Sequence, residues 1–300
     1  MIVLLLVTKN EGTLLRENLR HHLNNGFDRI AVADNCSTDT TREIANEFKD
    51  AVVWRSFDNF HARQTVRHEM LHSLDDGRGD VAWAGIADTD EFFWPSEPLR
   101  DILDRATPST VAINFGAKLF LPTAVDPQVG SLIERRRYRT SGGGSPLHTS
   151  YVAGKTVYRA EWLMSIPTDH WCARHEHLCM DAPTDRVATG PDIVNHYMIQ
   201  DEDQFVEKVV RLIEWAKPPK GMKAQIKWRT TPKRMRPLPH WTEPWKKVWW
   251  GVYQSDGIQG IRSYYRNSYV VPADDVARHV SDGNLTYDDG LAIARSQVQP

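Results

Sequence analysis

The residues best suited to chemistry lie in the stretch 81–94, which reads VAWAGIADTDEFFW. Its apolar start, 81–87, predicts one buried strand, and three acids follow: Asp88, Asp90 and Glu91. A buried strand that ends in carboxylates places them at the carboxyl edge of a sheet, where open α/β folds bind ligands. Asp88 and Asp90 are two residues apart, so both side chains can point the same way in extended chain. Two such oxygen donors suit Mg²⁺ or Mn²⁺ carrying a diphosphate, and the alternative is a solvated acidic turn.

Three strands and three helices are predicted before this stretch. Apolar runs indicate strands at 2–7, 29–33 and 51–54, and helical spacing indicates helices near 14–23, 44–48 and 59–74. The order β-α-β-α-β-α-β is typical of a parallel sheet with right-handed crossovers. Polar residues follow three of the strands, at 8–11, 34–39 and 88–91. We therefore expect these three segments to meet in one site.

Composition places the chain among ordinary globular proteins. Its 300 residues carry a net charge of −2 and are 41% apolar, which gives no overall nucleic-acid signature. Three cysteines cannot form a disulfide framework and suit a reducing compartment. The apolar start, 2–7, has no basic region before it and predicts a strand, not a signal peptide. No apolar run is long enough to span a bilayer. These features predict a cytoplasmic protein, with a peripheral position at the inner membrane surface as the alternative.

Several enzyme classes are excluded by missing motifs. The first strand is not followed by G-x-G-x-x-G, which argues against a dinucleotide fold, and the sequence has no G-x-x-x-x-G-K-[ST] loop. It also lacks the G-x-S-x-G elbow of α/β-hydrolases. A Mg²⁺ phosphotransferase would have D-x-D-x-[TV], but Phe92 occupies the last of these positions.

Three motifs in order carry a family resemblance. TKNEG ends the first strand, ADNCSTDTT ends the second, and ADTDEF ends the fourth. Together they resemble GT-A glycosyltransferases of the family 2-like group, with its D-N-x-S-T-D and D-x-D-E-F signatures, over roughly residues 1–210. The resemblance implies an α/β, Rossmann-like GT-A fold with a mixed, mainly parallel sheet flanked by helices. It also implies a metal-dependent enzyme that moves a sugar from a nucleotide diphosphate, with UDP favoured, to an acceptor hydroxyl with inversion.

The resemblance also assigns site residues. Those expected to bind the donor are Thr8, Asn10, Glu11, Asp34, Arg63, Gln64, Asp88 and Lys155. Those expected to bind Mn²⁺ or Mg²⁺ are Asp88, Asp90 and His196, and the imidazole favours Mn²⁺. Each assignment has a structural alternative. Asp34 could belong to a helix-cap network with Ser37 and Asp39, Arg63 to a solvated helix face, Lys155 to a surface strand, and His196 to a strand without a ligand.

An inverting transferase needs a carboxylate to accept the proton of the acceptor hydroxyl. The acidic signature that usually supplies it in family 2 is not evident here. Asp169 is the first candidate and Glu176 the second. The surrounding segment, HWCARHEHLC at 170–179, contains residue types that bind zinc, but their spacing matches none of the usual zinc sites.

The composition changes after residue 216. We therefore expect a catalytic domain over 1–216, with a nucleotide-sugar half at about 1–95 and an acceptor half at about 96–216, and a basic, Trp-rich, mainly helical extension over 217–300. Trp241, Trp245 and Trp249 share one helical face. The basic strip at 217–253 could pack onto the catalytic domain, rest on anionic lipid, or bind nucleic acid through 217–250. Short helices are expected at 261–265, 276–280 and 285–294.

The acceptor is left open by the sequence. A glycan, a lipid-linked acceptor or a small molecule would each fit an enzyme of glycan or surface polysaccharide synthesis. A modified base in DNA is the alternative if the basic strip binds nucleic acid. A catalytically inactive nucleotide-sugar-binding module is the alternative from another class.

Overall fold

A computed structural model describes residues 1–58, 63–140, 155–167, 182–197, 201–216 and 244–288. The chain forms two compact units. The first comprises Met1–Phe120, Arg139–Met198 and Gly283–Thr286, and the second comprises Leu121–Tyr138, Ile199–Asp282 and Tyr287–Pro300. These units are defined by packing, whereas the division at residue 216 rests on composition and stays a prediction.

The first unit is built on an eight-stranded sheet with the order β3-β2-β1-β4-β8-β6-β9-β5. The strands of this sheet are β1 (Ile2–Thr8), β2 (Arg29–Asp34), β3 (Val52–Ser56), β4 (Trp83–Asp88), β5 (Glu91–Phe93), β6 (Ala112–Leu119), β8 (Lys155–Arg159) and β9 (Val187–His196). Parallel pairing joins β1 to β2, β1 to β4, β2 to β3 and β6 to β9. Antiparallel pairing joins β4 to β8, β6 to β8 and β5 to β9. The sheet is therefore mixed and mainly parallel, as predicted.

Helices cover both faces of this sheet. They are α1 (Gly12–Asn24), α2 (Thr41–Glu47), α3 (Arg63–Asp75), α4 (Leu99–Asp104) and α6 (Ala160–Ser165). Alternate residues of β1 point to opposite faces, because side chains alternate along a strand. Leu4 and Leu6 join the core cluster that contains α1, α2 and α4, whereas Val3 and Leu5 join the cluster that contains α3 and α6. The sequence pattern of continuous apolar strands follows from this burial on both faces.

The predicted β-α-β-α-β-α-β order is confirmed through β4. One predicted helix is wrong at its start, because residues 285–287 form the strand β10 (Leu285–Tyr287). Thr286 and Tyr287 are residues that favour strands, and β10 pairs with β7 (Tyr138–Thr140) in a two-stranded sheet. Pairing between segments so far apart in the sequence cannot be recognised from the spacing of apolar residues within a short stretch. Residues 289–294 of the same prediction lie outside the described part of the chain.

The second unit is mainly helical, as expected for the C-terminal part. Its helices are α5 (Leu132–Arg135), α7 (Glu202–Ala216), α8 (Pro244–Ser268) and α9 (Ala273–Ser281), with α8 interrupted at Gly257, where φ is 60°. Phe205 packs against the rings of Trp249, Tyr265 and Tyr269. Trp249 is therefore a core residue, which agrees with the packing interpretation for this one residue of the strip. Among the described helices, none combines the length and apolar character needed to cross a membrane.

Gly190 is a position where any side chain would disturb the packing between β6 and β9. A Cβ atom there would lie 2.5 Å from Cδ1 of the buried Phe115 ring. We expect Gly190→Ala to lower the free energy of unfolding by about 1–3 kcal/mol, the usual effect of overpacking. Urea denaturation measures this change, with Gly251→Ala as the control because a Cβ at that position would meet nothing within 4 Å. That exposed helical control should gain up to about 1 kcal/mol. Wild-type stability of Gly190→Ala would contradict the prediction.

Candidate active site

Three parallel strands bring polar residues to the same edge of the sheet. Thr8 of β1 lies opposite Asp34 of β2, and Val7 lies opposite Asp88 of β4. Thr8 and Asp34 are buried, and the Thr8 hydroxyl has no hydrogen-bond partner among the described residues. The strand ends at 8, 34 and 88 are therefore aligned at one edge, which is the ligand-binding edge of open α/β folds.

The loops after β1 and β2 are tied together by hydrogen bonds. The Asn10 N–H donates to the Ser37 hydroxyl at 2.8 Å, and the Thr38 N–H donates to Asn10 Oδ1 at 2.8 Å. Ser37 in turn donates its N–H to the Asp34 carboxylate at 3.1 Å. Asn10 adopts a φ of 52°, a left-handed conformation that asparagine tolerates well. The network fixes both loops, and it contains the Asp34–Ser37 contact expected from the structural alternative, so base binding by Asp34 stays a prediction.

A cluster of possible metal ligands lies beyond β4. Asp90, Glu91 and His196 each direct a donor atom into one region, and these atoms are all within 4.8 Å of one another. His196 Nε2 is 3.7 Å from Asp90 Oδ1 and 3.8 Å from Glu91 Oε1. These separations are too long for hydrogen bonds. They suit two ligands of one cation, because ligands bound at about 2.1 Å are at most about 4.2 Å apart.

The pairing of β5 with β9 creates this cluster. Glu91 lies opposite His196 in the antiparallel register, and the Tyr197 N–H donates to the Asp90 carbonyl at 2.8 Å. A turn at residues 89–90 separates β4 from β5. Because the turn interrupts strand alternation, the adjacent residues Asp90 and Glu91 can both face His196. Asp88, which was predicted to be a ligand, is not a member of this group.

Asp88 instead contacts two buried cations. Lys155 Nζ lies 3.8 Å from Asp88 Oδ2 and 2.7 Å from Glu91 Oε2. Arg67 Nη2 lies 3.4 Å from Asp88 Oδ1 and donates to the Ala87 carbonyl at 2.9 Å. Only 1% of the Lys155 side chain and of the Arg67 side chain is exposed, whereas 37% of the Asp88 side chain is exposed. The surface alternative for Lys155 is therefore wrong, and its ammonium group neutralises the acidic cluster.

Burial and neighbouring charges change the protonation of two cluster members. Burial raises the pKa of Glu91, Lys155 lowers it, and the charges of Asp88 and Asp90 raise it again, for a net increase. Burial alone would lower the pKa of His196, but the Asp90 and Glu91 carboxylates raise it above its ordinary value. Lys155 partly balances the negative charge of the cluster through its contacts with Glu91 and Asp88. A divalent cation would do the same, so two carboxylates and one imidazole fit Mn²⁺ well.

The other predicted residues have different places. Gln64 is buried and accepts a hydrogen bond from Arg67 Nη1 at 3.3 Å, and Arg63 is the first residue of α3. Glu11 directly precedes α1. Asp169, Glu176 and the segment 170–179 lie outside the described residues.

Two members of the site were missed from the sequence. Glu91 was missed as a ligand because it is adjacent to Asp90, and adjacent strand residues usually face opposite ways. Arg67 was missed because it lies among apolar residues of α3, such as Val66 and Met70. Its position four residues after Arg63, on the same side of a helix, was the available signal.

The fold and the site together define an α/β protein with a cluster of possible cation ligands, Asp90, Glu91 and His196, near the carboxyl edge of its parallel strands. Residues 4–116 match the family model described as Glycosyl transferase family 2. This segment therefore resembles the glycosyltransferases of family 2. The predicted GT-A fold and the predicted enzyme class are confirmed.

Three solved structures resemble this chain at low sequence identity. The crystal structure of S. aureus TarS 1-349 is 13% identical with a TM-score of 0.43, covering 89% of this chain and 91% of that chain. Its complex with UDP-GlcNAc is 12% identical with a TM-score of 0.43, covering 89% and 92%. Glucosyl-3-phosphoglycerate synthase from Mycobacterium tuberculosis, in complex with Mn²⁺, UDP and glucosyl-3-phosphoglycerate, is 13% identical with a TM-score of 0.38, covering 71% and 77%. No curated protein matches the sequence. At these scores the family match and the strand order carry the assignment.

Proposed function

We propose that this protein transfers a sugar from a nucleoside diphosphate donor, with UDP as the nucleotide, to an acceptor hydroxyl. The observation that carries the proposal is the cluster of Asp90, Glu91 and His196. Asp90 and Glu91 lie within the segment that matches family 2 and follow the strand end at 88, which is aligned with the strand ends at 8 and 34. The solved complexes with UDP-GlcNAc, and with UDP and Mn²⁺, support the choice of donor by analogy.

Residues of β1 and β2 would hold the nucleoside. In this proposal Thr8 offers its buried hydroxyl, Asn10 and Glu11 line the pocket beside it, and Asp34 accepts a hydrogen bond from the base. The tied loops at 8–11 and 34–39 keep these groups in place before the donor arrives. Such preorganisation lowers the entropy lost on binding.

The phosphates would lie over the ends of β4 and α3. Arg63 and Gln64 begin α3, and Arg67 extends from the same helix to Asp88. Asp88 is the most exposed acid of the group, so we assign it to the ribose and diphosphate side of the donor. Lys155 is paired with Glu91 and acts on the donor through the net charge of the cluster.

Asp90, Glu91 and His196 would hold Mn²⁺ or Mg²⁺, which supplies positive charge against the leaving diphosphate. In the transfer itself, the acceptor oxygen bonds to the anomeric carbon as the bond to the diphosphate breaks. The hydroxyl proton passes to a carboxylate base, for which Asp169 and then Glu176 are the candidates. Inversion follows from a single displacement of this kind.

Fewer of the described residues bear on the identity of the acceptor. A glycan, a lipid-linked acceptor or a small molecule stays the first choice, in glycan or surface polysaccharide synthesis. Trp249 packs into the aromatic core of the second unit, and no described residue of the strip favours nucleic acid over these acceptors.

Thermal unfolding with a panel of nucleotide sugars tests this function. A ligand at about 100 times its dissociation constant adds about 2.7 kcal/mol. For a domain of this size that is a rise in Tm of roughly 5–10 °C. We expect UDP-sugars to give this rise with Mn²⁺ and to lose most of it with a chelator.

Release of UDP and of free sugar, measured without an acceptor, separates an enzyme from an inactive binding module. The inactive module would be favoured if nucleotide sugars stabilise the protein but the protein neither hydrolyses the donor nor transfers its sugar to any tested acceptor. A panel in which no nucleotide sugar stabilises the protein, with or without metal, would contradict the proposed function.

A further inference from the structure

Glu91, one of the proposed metal ligands, begins the edge strand β5, and Asp90 directly precedes it. Among the described strands, β5 ends the eight-stranded sheet and pairs with β9 alone. Asp90 accepts from the Tyr197 N–H and Trp94 donates to the Ile193 carbonyl, so the backbone at 90 and 94 faces β9. The intervening backbone groups at 91 and 93 point away from β9. An open edge of this kind leaves donors and acceptors that must find other partners when buried.

Three polar side chains of α1 supply those partners. Asn18 Nδ2 donates to the carbonyls of Thr89 and Glu91, each at 2.9 Å. The Phe93 N–H donates to His22 Nε2 at 3.1 Å, and His21 Nε2 donates to the Phe93 carbonyl at 2.5 Å. Asn18, His21 and His22 are spaced i, i+3 and i+4, which puts them on one face of the helix. We call these three side chains the α1 clamp.

The clamp residues are joined to one another as well. His22 Nδ1 lies 2.9 Å from Asn18 Oδ1, and both side chains are fully buried. Because Nε2 accepts the Phe93 N–H, the ring must be neutral with its proton on Nδ1, which then donates to Asn18. Burial, with a contribution from His21, lowers the pKa of His22 well below its ordinary value, in agreement with this neutral form. Every polar atom of the Asn18 side chain is thereby used.

We propose that the α1 clamp positions the metal ligands: Asn18 and His22 fix the backbone around Asp90 and Glu91 so that both carboxylates face His196. Asn18 binds the carbonyls on either side of Asp90, at Thr89 and Glu91. No clamp side chain is one of the proposed ligands. These are positioning residues, and the inference rests on the proposed metal site.

The clamp also explains why the buried face of α1 contains polar side chains. Buried helix faces that pack on a sheet are usually apolar, yet α1 directs three polar side chains at β5. An apolar face would leave the groups at 89, 91 and 93 without partners, and each such buried group costs about 1–3 kcal/mol. The clamp supplies to β5 the hydrogen-bond partners that a further strand would otherwise provide.

Mn²⁺ binding by the metal-free protein, followed by the paramagnetic resonance of free Mn²⁺, tests the proposal. We expect Asn18→Leu and His22→Leu to raise the Mn²⁺ dissociation constant by about 10- to 100-fold, the usual effect of groups that orient ligands. His22→Gln should lie closer to wild type, because its carbonyl can still accept the Phe93 N–H. Leu103→Ala is the control, since it shortens a buried side chain of the core cluster that contains Phe93 and cannot remove a side-chain hydrogen bond.

Hydrogen exchange of the segment 89–94, measured by mass spectrometry on the same metal-free proteins, gives the second readout. Both leucine variants should increase exchange there, and Leu103→Ala should not do so selectively. Increased exchange with an unchanged Mn²⁺ dissociation constant would show a merely structural role and overturn the inference, as would unchanged exchange. A wild-type protein that binds no Mn²⁺ would instead overturn the metal site itself, and the inference with it.

Discussion

Replacing Asp90 with asparagine is expected to abolish the Mn²⁺-dependent binding of UDP while the protein remains folded. Asp90 faces His196 within the three-residue cluster, and its carboxylate is one of two in that cluster. Loss of a direct ligand should weaken Mn²⁺ by at least about 100-fold, because groups that only orient ligands already contribute 10- to 100-fold. Sugar transfer should fall by roughly 1000-fold or more, since a bound metal supplies several kcal/mol to such reactions. Calorimetric titration of Mn²⁺ and an initial-rate assay measure the two effects.

Two further variants make the Asp90 result specific. His196→Ala removes the imidazole and should weaken Mn²⁺ less than Asp90→Asn, because water can replace a neutral ligand. Asp88→Asn should act mainly on donor binding, because Asp88 contacts Arg67 and Lys155 and lies outside the cluster. Near wild-type Mn²⁺ affinity in Asp90→Asn would show that the cluster is not the metal site. An equal loss in Asp88→Asn would place the cation on the first acid instead.

The first half of the sheet could be predicted because its signals are local. Each of β1, β2 and β4 is an apolar run that ends in polar residues, and parallel strands bring those ends together without further information. Thr8, Asp34 and Asp88 were placed at one edge on this basis, and the register has them there. His196 was predicted near the acids only through the family resemblance.

The remaining parts of the site depend on pairing between distant segments. Glu91 joins the cluster because β5 pairs with β9, and residues 91 and 196 are opposite each other only in that register. Lys155 meets Glu91 because β8 inserts between β4 and β6. Arg67 and the α1 clamp are polar residues on otherwise apolar helix faces, and no local period distinguishes them from solvent-facing residues. These site residues could therefore be recognised only once the strand order and register were known, because local sequence patterns do not reveal contacts between distant segments.

Lys155→Met should have the largest effect on stability. The Lys155 ammonium is buried and bonds Glu91 at 2.7 Å, and the Glu91 side chain is 2% exposed. Removing one partner of a buried ion pair leaves an uncompensated charge and typically costs about 3–5 kcal/mol. We expect a loss of this size at neutral pH without metal, measured by urea denaturation. Met is chosen because it fills a similar volume without charge.

The loss in Lys155→Met should also depend on pH. The pKa of Glu91 is already raised by burial, and without Lys155 it must rise further. A carboxyl group with a raised folded-state pKa adds stability below its unfolded pKa of about 4.3, and this stability is lost as the pH rises through the folded-state pKa. The deficit of Lys155→Met should therefore be smallest under acidic conditions and should grow toward neutral pH. A deficit independent of pH would indicate lost packing alone.

A second substitution separates charge from packing. In the double variant Lys155→Met with Glu91→Gln, the buried charge is gone, and the glutamine carbonyl can still accept the Asp88 N–H that Glu91 Oε2 accepts at 2.7 Å. Replacing a buried ion pair by neutral groups of similar size is often without net effect, so most of the lost stability should return. Mn²⁺ affinity should not return with it, because one of the three ligands is missing. A double variant as unstable as Lys155→Met would show that the ion pair is not the source of the loss. Recovery of stability would show that Lys155 compensates the buried charge of Glu91, while the missing Mn²⁺ affinity would follow from the loss of Glu91 itself.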